Sequence, residues 1–133
     1  MALLARASDA SVDASTAIKM PSISGLVAGE DIAACAACYV ASDGMIYNSN
    51  GTAANAAAKV DGFSAQAAKA GQGCTLFGEG LRMRYASSGL TPGALYYLGT
   101  TAGRVDTATT TGGTVALLKA ITTTDVVVVG IVP

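Results

Sequence analysis

The chain has 133 residues, with 8 Lys and Arg against 9 Asp and Glu, a net charge of −1, and neither histidine nor tryptophan. That length is one domain with room for a core, and without histidine the chain lacks the side chain that ordinarily titrates near neutral pH and serves as a general base. The acidic balance argues against nucleic-acid binding through phosphate neutralisation, and no apolar run, Val126 to Val132 included, approaches the about 20 residues that a membrane-spanning helix needs.

Residues 1–24 read as an extended N-terminal arm. Ala7 to Thr16 is small, polar and aperiodic, a composition that is flexible alone. The arm is expected to be held by a neighbouring subunit or a larger shell, with Leu3, Leu4, Ile18, Met20, Pro21 and Ile23 as anchors, the alternative being that it packs on its own domain. Its first residues, Met1 to Arg6, lack the charged start and long apolar stretch of a secretory signal, so export through a membrane is not expected. Deleting residues 1–20 is expected to leave the rest of the chain folded.

Residues 25–133 read as a single β-rich domain. Turn signals recur about every ten residues, among them Asp43-Gly44, Asn50-Gly51, Asp61-Gly62, Gly71-Gln72-Gly73, Gly78-Glu79-Gly80, Pro92-Gly93 and Gly112-Gly113. Short apolar runs rich in Val, Ile, Leu, Tyr and Thr lie between them, the pattern of a small β-barrel or β-sandwich. Ala37–Ala41 and Met45–Tyr47 flank Ser42-Asp43-Gly44 as a hairpin, because Asp-Gly tolerates the positive φ of tight turns. The alanine-rich stretch from Thr52 to Lys59 predicts a turn or two of helix, too short to stand alone. Cys74–Phe77 and Leu81–Ala86 are predicted strands around a Gly-Glu-Gly turn. The second alternates, with Leu81, Met83 and Tyr85 on one side and Arg82 and Arg84 on the other, as a half-buried strand does. The two arginines are read as solvated, or as partners for carboxylates on another protein. Leu90-Thr91-Pro92-Gly93 has Pro and Gly where a type II turn wants them, and Ala94–Leu98 follows as a strand. Ala102–Asp106, Thr114–Ile121 and Asp125–Val132 complete the sheet. Exposed at an edge, the last run would invite aggregation, so it must be central or covered.

Little in the chain carries chemistry. Glu30-Asp31 is the only adjacent acidic pair, and neighbours on a strand point to opposite faces. No serine has an evident base beside it, the Gly-rich turns lack phosphate-loop spacing, and calcium loops are absent. Cys35, Cys38 and Cys74 are an odd count. Cys35-Ala-Ala-Cys38 has redox or half-zinc spacing, but no second pair or histidine completes it, so the three read as small buried apolar residues. No catalytic residue, metal ligand or cofactor is expected, and no small-molecule substrate.

Several segments, in order, carry a resemblance. They are Gly25 to Asp31, Cys38 to Gly44, Val60-Asp61-Gly62-Phe63, Ala70 to Gly73, Leu90 to Leu98, and Ala116 to Ala120 leading into a valine-rich strand. Together they resemble the capsid decoration, or cement, proteins of tailed bacteriophages, small head-stabilising proteins. The resemblance implies a β-barrel or β-sandwich domain of tulip-like form with the N-terminal arm. It also implies a homotrimer on the outer surface of the virion, made in the host cytoplasm and bound to the major capsid protein. Neighbouring capsid subunits would be clamped against internal pressure. The expected contacts are the arm anchors with Arg82 and Arg84. The alternative is a head-fibre or tail-fibre module that recognises a host receptor or glycan.

Overall fold

The computed structural model describes residues 3–8, 10–12, 22–64 and 66–133. Almost all regular structure is β. The strands are β1 (Ser11–Val12), β2 (Ser22–Val27), β3 (Ala37–Val40), β4 (Ile46–Asn48), β5 (Gly62–Ser64), β6 (Gly73–Phe77), β7 (Arg82–Arg84), β8 (Leu95–Leu98), β9 (Val105–Asp106), β10 (Ala116–Ala120) and β11 (Asp125–Val128). The helix expected near Thr52 shrinks to one 3₁₀ turn, Ala56–Ala58, capped by the Asn55 side chain, which accepts from the Ala57 N–H. Alanine propensity alone does not extend a helix that lacks an apolar face to bury.

The strands form two antiparallel sheets. One has six strands in the order β1-β7-β11-β10-β8-β9, the other five in the order β2-β6-β5-β3-β4. Both local turn expectations hold. Gly44 takes φ 82° between β3 and β4. Ala94 N–H donates to Thr91 C=O across Pro92-Gly93, where Gly93 takes φ 89°. The valine-rich β11 is central, flanked by β7 and β10, so its backbone is paired on both sides and the aggregation hazard is gone.

The two sheets share a main core. From the six-stranded sheet, Met83, Val126 and Ala120 lie in register, as do Val128, Leu118 and Tyr96, and all are buried. From the five-stranded sheet, Ala37 and Phe63 are paired and join the same cluster. Burying each large apolar side chain is worth roughly 1.5–3 kcal/mol. Between Ala116 and Leu118 the register of β10 against β8 shifts. Consecutive Leu117 and Leu118 are therefore both buried in the core, as a bulge permits.

The opposite face of the five-stranded sheet carries a second cluster, including Ala28, Ile32, Cys38, Ile46 and Leu76. A parallel bridge between Ala28, just past β2, and Ile46 of β4 draws the two edges of this sheet together. It is a single bridge and not a strand ladder, so of the β-barrel or β-sandwich expected the closed barrel is not formed, and the two antiparallel sheets are compatible with the sandwich.

The described part of segment 1–24 lies along its own domain. Leu3 bridges Asp106 of β9, Leu4 is in the main core and its N–H donates to Val105 C=O, and Ala7 N–H donates to Tyr85 C=O. β1 pairs with β7, and Ser22 to Val27 pair with β6 as an edge strand. The expectation that Leu4 anchors the arm on a neighbour meets a buried side chain already spent on the home core. The boundary drawn at residue 24 falls inside β2.

Candidate interface

Period-two alternation gives the six-stranded sheet a second, outer face. Arg82, Val127, Lys119 and Leu95 stand in one cross-strand row over β7, β11, β10 and β8. Arg84 faces Asp125 in the next row. The same alternation sets Tyr97 on this side, and Ile121 extends it past the end of β10. Leu95 is 41% and Ile121 38% exposed, large for apolar side chains, whereas Val127 and Tyr97 are half-buried. The face thus mixes aliphatic and aromatic surface with three cations and one carboxylate.

Arg82 is not simply solvated. Its Nε donates to Asp125 Oδ2 at 2.8 Å, a diagonal cross-strand pair. Burial pushes the Asp125 carboxyl up, but hydrogen bonds from Thr124 Oγ1 and Arg82 outweigh it and hold the group below its ordinary value. The Thr122 hydroxyl accepts from the N–H groups of Thr124 and Asp125. This turn holds the carboxylate in place.

The expected contact residues do not meet on one surface. Arg82 and Arg84 share the outer face of the six-stranded sheet. Leu3 lies near β9, close enough to Gly99 that a Cβ there would come within 2.7 Å of Leu3 Cδ2. Leu4 is internal, and Ile23 is exposed on β2 of the other sheet, opposite Leu76. Ile18, Met20 and Pro21 lie outside the described residues. Leu95, Tyr97, Lys119, Ile121 and Val127 had to be found from the register. Each belongs to a strand legible in the sequence, but which side of β10 faces out depends on the bulge at Leu117.

The cysteines are free, with Cys35 and Cys38 fully buried and Cys74 partly so. Burial pushes the Cys35 thiol up to about 11 and raises Cys38 as well, which leaves both thiols protonated and unreactive at neutral pH. Among the described residues no three His, Cys, Asp or Glu side chains gather where they could hold a metal, and no helix is long and apolar enough to cross a membrane.

No protein-family profile, curated protein or solved structure matches the chain.

Proposed function

We propose that this chain is a two-layer β-sandwich that decorates the outside of an icosahedral phage capsid. There it cements neighbouring major capsid subunits as a homotrimer. The observation that carries the reading is the outer face of the six-stranded sheet, where Leu95, Tyr97, Ile121 and Val127 lie among Arg82, Arg84, Lys119 and Asp125. A chain with only 13% charged residues is poorly protected from association unless such a face is covered. Many copies, each adding modest buried area across subunit joints, would make opening of the shell costly without any one contact being strong.

Co-sedimentation with DNA-free mature shells tests this. The native protein should pellet with shells and saturate. Leu95→Lys and Ile121→Lys, both at exposed sites, should stay folded and pellet much less. Absence of pelleting, or equal pelleting by both variants, would refute the reading.

One observation favours the alternative of a fibre module for receptor or glycan recognition. The rings of Tyr39 and Tyr47 lie 6.1 Å apart at 34°, half-buried, and Tyr47 Oη donates to Asp43 Oδ2 at 2.6 Å. Aromatic surface with polar neighbours suits a sugar. Copy number separates the readings, because a fibre is present at a few to tens per particle and cement at hundreds.

A further inference from the structure

Among the described residues, three side-chain polar atoms are buried without a hydrogen-bond partner, namely Arg6 Nη1, Arg104 Nε and Tyr85 Oη. They belong to one neighbourhood. Burial raises the Tyr85 phenol, while the nearby Arg6 and Arg104 guanidiniums lower it, Arg104 lying close enough for a loose hydrogen bond to the phenol oxygen. Arg6 and Arg104 line a cavity of about 220 Å³, with Ser8, Ala33 and Ala34 on its other walls. The Arg104 Nη2 donates to Leu4 C=O at 3.0 Å, which fixes that guanidinium in place. The ion pairs among the described residues are Lys69–Asp31 and Arg82–Asp125, so neither cavity arginine has a described carboxylate.

The far wall is rigid. Ser64 is fully buried, its Oγ donates to Ala33 C=O at 2.6 Å and accepts from Ala36 N–H at 3.1 Å. Cys35, between them, holds φ 60°, the one non-glycine residue with positive φ among those described. Backbone in that region is costly and persists where the surroundings impose it. Two cations side by side in a partly desolvated pocket repel each other and leave donors unmet. An anion between them would relieve both. Guanidiniums match the planar geometry of carboxylate and phosphate oxygens. A cavity of this volume is below the roughly 300–1,000 Å³ of drug-sized ligand sites, which fits one small oxyanion and not a nucleotide.

We propose that Arg6 and Arg104 form a binding site for a small oxyanion of carboxylate or phosphate type. The site is separate from the outer sheet face and does not depend on capsid decoration.

The test is an amide and arginine Nε–H NMR titration of the full chain with inorganic phosphate, then acetate, against chloride at constant ionic strength. Saturable shifts confined to Arg6, Ala7, Ser8, Ala10, Ala33, Ala34 and Arg104 are expected, with apparent affinity falling about tenfold or more in Arg6→Gln and Arg104→Gln. Arg104→Lys, which keeps the charge, serves as the second variant should the Gln forms not fold, and should bind more weakly than native. Scattered or non-saturating shifts in the native protein would overturn the proposal. So would binding that emerges only in Asp9→Asn, because the chain's own Asp9, which lies outside the described residues, would then be the counter-ion.

Discussion

Ser64 has no water to turn to, and its hydroxyl serves two backbone groups of the 33–36 turn. Ser64→Ala would strand the buried Ala36 N–H and remove the donor to the Ala33 carbonyl, so it should cost about 1–3 kcal/mol in urea unfolding. Gly113 is constrained differently. An added Cβ there would collide with Leu98 C=O and with Thr110 Oγ1, which itself donates to Leu98 C=O. Gly113→Ala should therefore lower the melting temperature, whereas Gly44→Asn, at φ 82° with open space around it, should lower it far less. Asp125 gives a pH signature. Its folded pKa lies below the ordinary 3.8, so its contribution is present above that value and lost as the pH falls through the folded one. The stability gap between native protein and Asp125→Asn should be about 1 kcal/mol or less at pH 7 and should close in acid. A gap unchanged down to pH 2 would mean that the carboxylate makes no net contribution.

At the scale of elements, the sequence is most readable where chemistry is local. Asp43-Gly44 and Pro92-Gly93 each specify their own turn, and the strands beside them form where expected. Leu81, Met83 and Tyr85 alternate inward, and all three are fully buried. What was not legible depends on distant partners. β2 is Ser-Ile-Ser-Gly-Leu-Val, weak strand material held by pairing to β6 about fifty residues away, and β1 exists through β7. The candidate interface was half legible for the same reason. Alternation sets Arg82 and Arg84 together, but only the register adds Leu95, Lys119 and Val127. The N-terminal segment changes an expectation as well. With Leu4 in the core and β1 on the edge of β7, deleting residues 1–20 should destabilise the domain instead of leaving it intact. Leu4→Ala alone should cost about 2–5 kcal/mol, read by chemical denaturation, and an unchanged midpoint would show that the segment does not support the domain.

For the whole molecule, the two sheets divide the work. One has buried residues on both faces, in the main core and in the Ile46–Leu76 cluster, although its edge strand β2 is largely exposed. The other buries one face and presents the second, where Leu95, Tyr97, Ile121 and Val127 lie among Arg82, Arg84, Lys119 and Asp125. That asymmetry is why a covered outer face is the centre of the functional proposal. Leu95→Lys should leave unfolding stability within about 0.5 kcal/mol, as exposed substitutions do, while weakening association with shells. The measurement that tests the central claim most directly is quantitative mass spectrometry of purified virions, counting copies of this chain per major capsid protein. A decoration role predicts a ratio of order one, or one per few subunits. A ratio far below that would contradict it in favour of a fibre or tail component, and absence from the particle would end the virion reading.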